Sequence, residues 1–247
     1  MQIANPISTA GRLISVYREL STRLKVLKFS SPVTHVYDPL AYAREPAERY
    51  LQMAARSSGQ SFMLGMNPGP WGMAQTGVPF GSVAMVTDWI RITGRVDRPS
   101  SEHPRRPVLG FDTEREEVSG TRLWSWARER FGTPQRFFDH FFIANYCPLV
   151  FMEASGRNRT PDKLAVEERR ALFDLCDQVL REVVTVLQPA LIIGVGKFAE
   201  DRARAALVDF DLPIGRILHP SPASPIANRG WAPQAERQLS SLGIDLG

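Results

Sequence analysis

Short apolar runs and longer amphipathic stretches alternate along the chain. Four runs have the length of strands and lead directly into turn-forming residues: 61–66, 141–144, 190–193 and 214–218. The first three are apolar almost throughout, which is typical of strands buried on both faces of a parallel sheet. Arg216 interrupts the fourth run, which therefore fits this pattern less well.

The stretches around these runs carry apolar residues at the spacing of one helix face. They predict helices over 9–28, 46–55, 121–131, 162–187, 198–207 and 232–242. Strands that alternate with helices predict an α/β fold, here a three-layer sandwich around a central, mainly parallel four-stranded sheet. A chain of 247 residues can bury one sizeable core, so we expect a single domain over 1–247, with an N-terminal helix within 1–30 packed on it.

Three polar residues follow strands of this predicted sheet. Right-handed crossovers place the carboxyl ends of all four strands at one edge, which is where ligands bind in open α/β folds. Asn67, Asn145 and His219 come at such ends, beside a glycine-rich turn at 194–196. The Pro-, Arg- and Glu-rich segment 95–119 predicts a long surface loop, and such loops are often functional. We therefore expect a ligand site at this edge of the sheet.

The amide of Asn145 has two interpretations. It offers one acceptor and two donors on a rigid group, so it can match N3–H and O4 of a uracil ring at the same time. Cytosine presents the reverse pattern, and a buried amide in the same orientation would reject it. The alternative is a residue at a strand end that caps a turn, and the sequence favours neither.

His219 and the segment 65–81 also allow a structural or a functional role. His219 precedes a stiff Pro-Ser-Pro turn, so it is either a hydrogen-bonded structural histidine or a donor that stabilises charge on a departing group. Asn67 lies in 65–81, whose glycines let the backbone approach a ligand closely. Trp71 and Phe80 in the same segment can stack on a base or pack in the core.

Composition excludes several classes of protein. Cys147 and Cys176 are too few for a disulfide framework or an iron–sulfur cluster, so we expect them to be packing residues. No histidine has a metal-ligand spacing, and GVGKF at 194–198 lacks the spacing of a phosphate-binding loop, so we expect neither metal nor cofactor. The chain lacks a membrane-length apolar run and does not start like a signal peptide. We expect a monomer in the bacterial cytoplasm or the eukaryotic nucleus, whose net charge of +4 is compatible with a polyanionic partner.

Long motifs resemble those of a known family. GMNPGPWGMAQTGVPFG at 65–81 and HPSPASPIANRGW at 219–231 resemble the two signature motifs of single-strand-selective monofunctional uracil-DNA glycosylases. The segments 102–124 and 145–149 are similar as well, so the resemblance covers about 32–243. It implies the uracil-DNA glycosylase fold. It also implies a base-excision repair enzyme that hydrolyses the N-glycosidic bond of uracil and 5-substituted uracils in single- and double-stranded DNA, leaving an abasic site.

The resemblance also implies roles for individual residues. Asn67 matches the residue that positions the hydrolytic water, and His219 matches the one that stabilises the uracil anion at O2. The residues that match the base-binding set are Met66, Gly69, Phe80 and Asn145. The residues that match the loop entering the duplex are Pro220, Ser221, Pro222, Ala223, Ser224, Asn228 and Arg229.

The chain departs from the family pattern at Ala223. The common pattern has an arginine there, which fills the gap that the flipped base leaves in the stack. Alanine is too small for this, so either the capture of paired uracil is weaker or Ile226 or Arg229 fills the gap. Trp71 stands where phenylalanine is common.

The implied mechanism follows from what the side chains can do. An amide cannot act as a general base, so Asn67 can only orient water, and most of the catalysis should come from His219 stabilising the leaving base. Lys197 is the only lysine near the site and begins a predicted helix, so we expect no Schiff base and no strand cleavage. The alternatives are a glycosylase with broader specificity for deaminated bases, a non-catalytic nucleic-acid-binding domain and a small-molecule enzyme of a nucleotide-binding α/β fold.

Overall fold

The computed structural model describes residues 8–56 and 58–246. The strands in this part of the chain are β1 (Val33–Tyr37), β2 (Ser61–Gly65), β3 (Phe141–Asn145), β4 (Val150–Glu153), β5 (Asn158–Arg159), β6 (Leu191–Val195) and β7 (Ile214–Ile217). The helices are α1 (Thr9–Leu24), α2 (Pro39–Tyr42), α3 (Arg44–Ala54), α4 (Met73–Thr76), α5 (Val83–Met85), α6 (Val118–Phe131), α7 (Pro134–His140), α8 (Val166–Leu187), α9 (Lys197–Ala206) and α10 (Trp231–Ser241). None of them is long and apolar enough to span a membrane.

The central sheet has four parallel strands in the order β3-β2-β6-β7. This confirms the predicted α/β class and the predicted sheet, with strand ends shifted by one or two residues. Every residue of β3 and β6 is buried, which explains why their sequences are apolar without alternation. Arg216 lies on the edge strand β7, where its exposed side chain forms an ion pair with Glu200 (3.3 Å).

The strand order places helices on both faces of the sheet. The chain passes from β2 to β3 in one direction and from β6 to β7 in the other, so right-handed connections put α6 and α7 on one face and α8 and α9 on the opposite face. Contacts within each pair of helices agree with this arrangement. All six predicted helices are present, with shifted ends. The short helices α2, α4, α5 and α7 were not predicted, because they are too short to show a periodic pattern.

Helix α1 packs against other helices of the structure. Leu13, Leu20 and Leu24 are buried, and the helix contacts α8 and α3. It ends at Leu24 rather than at residue 28, because the chain then turns towards β1 and leaves Val26 76% exposed. The predicted N-terminal region also includes residues 1–7, which lie outside the described residues.

A small antiparallel sheet, in the order β1-β4-β5, was not predicted. Its strands are short, and β5 has only two residues, so no run of the sequence shows their pattern. Val36 pairs with Phe151, and Phe151 in turn pairs with Arg159. This sheet therefore holds the chain after β5 beside the central sheet, close to the turn that follows β3.

The segment 95–119 is the long surface loop that was predicted, and it is anchored to the rest of the protein at several points. The Gln75 side-chain oxygen accepts hydrogen bonds from the backbone N–H groups of Leu109 (2.8 Å) and Gly110 (3.1 Å) and from the hydroxyl of Thr113 (2.9 Å). His103 is 1% exposed. The polar composition of the segment therefore gives no sign of these internal contacts. They hold the segment in a fixed position at the edge of the central sheet.

Candidate active site

The carboxyl ends of the parallel strands lie at one edge of the central sheet. Asn145 is the last residue of β3, Asn67 comes two residues after β2, and His219 comes two residues after β7. Strand β3 lies on one side of β2 and β6 on the other, so the strand order reverses at β2. A crevice forms at such a reversal, and this is the usual ligand position in open α/β sheets.

A cavity of about 360 Å³ opens at this edge. Its lining includes seven of the residues predicted from the sequence: Met66, Asn67, Gly69, Phe80, Asn145, His219 and Ser221. It also includes residues that the sequence did not suggest: Met73, Glu117, Ser119, Asn158 and Thr160. The other predicted loop residues lie outside its wall: Pro220, Pro222, Ala223, Ser224, Asn228 and Arg229. The structure therefore brings the two amides, the imidazole and the phenyl ring to one cavity.

Gly65 allows Asn145 and Phe80 to pack closely together in the wall of the cavity. A Cβ atom at this position would lie 2.3 Å from Oδ1 of Asn145 and 2.8 Å from the ring of Phe80. Real Cβ atoms do not approach other atoms so closely, so any side chain here would displace the amide, the ring or both. The glycine at the end of β2 thus allows an amide edge and an aromatic face to meet at the floor of the cavity.

The Asn145 amide is not used to hold its own turn. Backbone hydrogen bonds hold that turn, from Tyr146 N–H to the Gly65 carbonyl and from Cys147 N–H to the Met66 carbonyl (both 2.9 Å). The side chain of Asn145 is 8% exposed in total, and its Nδ2 contacts the Met73 sulfur at 3.2 Å. A thioether is a weak acceptor. The amide therefore keeps most of its hydrogen-bonding capacity for a ligand.

The Asn67 amide is fixed by its donor side. Its Nδ2 donates to the carbonyl of Leu149 (3.2 Å) and weakly to that of Pro68 (3.4 Å). Because both contacts use the NH₂ group, the amide oxygen remains as an acceptor. An acceptor held in one place can bind and orient a water molecule.

His219 is a neutral imidazole in this environment. Burial lowers its pKa from 6.5 to about 4, because a charged ring would lose its hydration. The ring centre lies 6.0 Å from that of Phe80, and a Cβ on Gly196 would come within 3.2 Å of the histidine Cβ. No hydrogen-bond partner for either ring nitrogen is found among residues 8–56 and 58–246. The ring can therefore offer its N–H to a ligand.

Glu117 supplies a carboxyl group that sequence reasoning missed. Its oxygen accepts a hydrogen bond from the backbone N–H of Trp71 (3.4 Å), and a Cβ on Gly69 would lie 2.2 Å from that oxygen. Burial raises the pKa of Glu117, and the Trp71 N–H offsets part of this rise. One indication was present in the sequence: Glu117 lies near the end of the segment 95–119. That segment was predicted to be functional, but no residue in it was singled out. No pattern in the sequence indicates a role for Asn158, which lies in the two-residue strand β5.

The loop formed by residues 220–229 is braced by a side chain that was also missed. Arg122 of α6 donates to the carbonyl oxygens of Pro220 (3.2 Å) and Ser221 (3.5 Å) and to Oδ1 of Asn228 (2.9 Å). At the tip of this loop, Ile226 is 54% exposed. The loop is therefore stiff at its base and presents an apolar side chain to solvent.

Neither thiol lies in the cavity. Cys147 and Cys176 are buried in the core, as predicted for packing residues. The hydrogen bond with Cys147, together with burial, raises the pKa of the Cys176 thiol. Among the described residues, no group of three or more His, Cys, Asp or Glu side chains could hold a metal ion. The polar groups that line the cavity are amides, an imidazole, one carboxyl group and the hydroxyl groups of Ser119, Thr160 and Ser221.

Comparisons with known proteins agree with this architecture. Residues 58–237 match the family model of the Uracil DNA glycosylase superfamily. The chain is 44% identical over 242 residues to the single-strand selective monofunctional uracil DNA glycosylase of Bos taurus, covering 97% of this chain and 89% of that protein. It is 46% identical over 227 residues to the Rattus norvegicus protein of the same name, covering 91% and 82%.

A solved structure shares the fold. The crystal structure of Pedobacter heparinus SMUG2 aligns with a TM-score of 0.71 at 16% sequence identity, over 96% of this chain and 97% of that one. The chain belongs to the uracil DNA glycosylase superfamily and, within it, to the family of single-strand selective monofunctional uracil-DNA glycosylases.

Proposed function

We propose that this protein hydrolyses the N-glycosidic bond of uracil in DNA and leaves an abasic site without cutting the strand. The observation that carries the proposal is the meeting of Asn67, Asn145 and His219 with Phe80 in one cavity of about 360 Å³. A pyrimidine needs an aromatic face for stacking, a polar edge for recognition and a donor for the leaving anion. These side chains supply each of the three.

Recognition is assigned to Asn145 and Phe80. The nucleotide leaves the stack and its base enters the cavity against the phenyl ring, at a cost of a few kcal/mol. The Asn145 amide accepts from N3–H and donates to O4 of uracil. Cytosine has an acceptor at N3 and donors at position 4, so it would leave buried polar groups without partners. The side chain supports this role because its own turn does not need it.

Asn67 orients the attacking water. Its NH₂ group is held by the Leu149 carbonyl, which directs the amide oxygen away from that contact. This oxygen accepts a hydrogen bond from water and holds it near C1′ of the deoxyribose. Water attacks C1′ without a general base because the sugar develops oxocarbenium character as the base departs, and the proton that the water loses passes to solvent once the C1′–O bond has formed.

His219 stabilises the departing base. As the glycosidic bond breaks, its electron pair moves to the ring and negative charge builds on O2. The neutral imidazole donates one N–H to that oxygen, in a site where removal from water strengthens the interaction. The lowered pKa of His219 means that the histidine is neutral at physiological pH.

Capture of the base from a duplex is assigned to loop 220–229. Arg122 fixes the base of this loop, so its tip can press between bases without folding back. Ala223 cannot fill the vacated stack, whereas Ile226 on the same loop is apolar and exposed. We propose that Ile226 acts as the wedge and that the enzyme processes single strands more readily than duplexes, since single strands need no plug.

The proposal extends to uracils substituted at C5. With O4 and N3 at Asn145 and O2 near His219, C5 of the ring points to the remaining wall at Gly69. Gly69 has no side chain, and the Glu117 carboxyl lies against it. A small polar substituent would therefore meet a backbone wall and a carboxyl acceptor rather than an apolar side chain.

An oligonucleotide assay tests the proposed function. A labelled single strand with one uracil is incubated with the protein in the presence of a chelator, and hot alkali then cuts at any abasic site. We expect cleavage at uracil and an intact strand before alkali treatment, and no cleavage of the same strand with thymine. Binding without release would instead indicate a non-catalytic nucleic-acid-binding domain, and this would refute the proposal. Strands with hypoxanthine or xanthine show whether the specificity is broader.

A further inference from the structure

Two guanidinium groups lie over the ring of Trp71, the residue that follows Pro70 of the cavity wall. Cζ of Arg106 is 5.1 Å from the centre of its ring, and Cζ of Arg115 is 4.8 Å from it. Contacts of this kind are worth about 0.5–1 kcal/mol each at exposed sites and hold the cation in place. We call Trp71, Arg106 and Arg115 the arginine–tryptophan stack.

The stack is connected directly to the wall of the cavity. Trp71 follows Pro70, and its backbone N–H donates to the carboxylate of Glu117. Pro70 and Glu117 both line the cavity. Arg115 precedes Glu117 by two residues. When a DNA strand delivers one nucleotide into the cavity, its neighbouring nucleotides are therefore within reach of the stack.

Neither guanidinium of the stack pairs with a carboxylate in residues 8–56 and 58–246. Arg106 donates from Nη1 to the Arg105 carbonyl (3.0 Å), while its buried Nε has no partner in that part of the chain. A buried donor without an acceptor costs about 1–3 kcal/mol, so this arrangement does not stabilise the free protein. Arg115 is exposed, and the adjacent Glu114 and Glu116 do not pair with it.

Two further arginines extend the positive surface. Arg105 is exposed and donates to the Ser155 carbonyl (3.4 Å). Arg157 is exposed and follows Gly156, where a Cβ would lie 3.6 Å from Cζ of Arg106. Together with the stack they bring four guanidinium groups to this surface, and a local excess of positive charge attracts a polyanion.

We propose that the arginine–tryptophan stack is a subsite for a backbone phosphate of a nucleotide next to the one excised. A guanidinium presents two parallel N–H donors to two phosphate oxygens, and an aromatic face that fixes its plane reduces the entropy lost on binding. The subsite rests on the proposed glycosylase function, because that function brings a strand to the cavity. Inorganic phosphate has the same chemistry, and the test below separates the two sources.

The first measurement is the binding of a single-stranded oligonucleotide whose uracil carries a 2′-fluorodeoxyribose, which resists hydrolysis. Fluorescence anisotropy over about 50–200 mM salt gives the affinity and its salt slope. Arg115→Gln should weaken binding about fivefold to tenfold and reduce the slope by about 0.7, the loss of one phosphate contact on a single strand. Arg136→Gln is the matched control, because Arg136 is exposed on α7 at the opposite edge of the sheet. Equal affinities and slopes for the two variants would overturn the proposal.

The second measurement locates the phosphate. Each phosphate around the uracil is replaced in turn by a neutral methylphosphonate. One position should weaken binding to the natural protein by the same factor as Arg115→Gln, and it should have no further effect on that variant. Trp71→Leu should lose the same coupling although both arginines remain, and Trp71→Phe should retain it. A site that takes only free phosphate would show no such position, and additive effects at every position would contradict the subsite.

Uracil release by the unsubstituted protein is measured in parallel. If the oligonucleotide binds with the expected coupling but uracil is never released, the proposed function fails and the phosphate subsite stands. If uracil is released and no phosphate couples to Arg115, the subsite fails and the proposed function stands.

Discussion

Replacing His219 tests the proposed chemistry most directly. Within residues 8–56 and 58–246, His219→Leu removes the only imidazole that lines the cavity, and it leaves a side chain of similar bulk. Loss of one donor to a developing oxyanion costs about 2.7–4 kcal/mol, or about 10²–10³ in rate. We therefore expect uracil release to fall by that factor under single-turnover conditions. His219→Gln keeps an N–H donor and should lose less.

The pH dependence sharpens this test. With a pKa of about 4, His219 is about 99% neutral at pH 6, whereas a histidine with an ordinary pKa of 6.5 would be about one quarter neutral. Single-turnover release from a uracil oligonucleotide should therefore show no titration between about pH 5.5 and 8. A rate change with a midpoint between about pH 6 and 7, absent in His219→Gln, would refute the reasoning, since it would mean that the cavity does not hold the ring neutral.

The same substitution has a second, independent readout in stability. Because the folded state lowers the pKa of His219, protonation favours the unfolded chain. The stability that depends on a neutral His219 is fully present above about pH 6.5 and is lost as the pH falls through about 4. Below that range the lowered pKa corresponds to a loss of about 3 kcal/mol in the free energy of unfolding. Denaturant titrations at pH 7 and pH 4 should show a smaller acid loss for His219→Leu, and an equal loss in both proteins would contradict the assigned burial.

Four other substitutions test the remaining parts of the site. Asn145→Asp should raise the activation free energy of uracil release by about 1–3 kcal/mol, because a carboxylate cannot donate to O4. It should also lower the ratio of uracil release to cytosine release, and an unchanged ratio in a paired-substrate assay would contradict the role of Asn145. Ala223→Arg should raise the ratio of the duplex rate to the single-strand rate about fivefold, if the new side chain recovers about 1 kcal/mol of the cost of flipping the base. A constant ratio would contradict the claim that Ala223 limits the capture of paired uracil. Gly69→Ala places a Cβ 2.2 Å from the Glu117 oxygen and should cost about 1–3 kcal/mol of unfolding free energy, part of which Gly69→Ala combined with Glu117→Ala should restore. Glu117→Gln should abolish the part of the stability that is lost as the pH rises through the raised pKa of Glu117, and equal pH dependence of unfolding in the two proteins would contradict the burial of that carboxyl.

The sequence allowed prediction of those features that strong local patterns encode. Strands such as β3 and β6 are buried on both faces, so their apolar runs are unambiguous, and residues that follow such strands can be placed at one edge without coordinates. The positions of these residues after the strands predicted that Asn67, Asn145 and His219 lie close together. The resemblance to the family added the roles of Phe80 and Gly69.

The missed features depend on tertiary contacts between distant segments. Glu117 reaches the cavity only because Gln75 anchors the segment before it, and a glutamine in a glycine-rich motif gives no sign of that task. Asn158 is placed by pairing between two very short strands. Arg122 acts through backbone carbonyls almost one hundred residues away, and no periodicity of α6 indicates such a partner.

The dispersed origin of the cavity wall has a consequence for how the protein fails. Phe80, Asn145 and His219 come from three separate stretches of chain and meet only when all four parallel strands are assembled. No fragment that ends before β7 contains a complete wall, so a nascent, clipped or partly melted molecule has no slot for a base. Damage to the protein therefore abolishes base release rather than relaxing its specificity, so a damaged molecule does not remove normal bases from DNA.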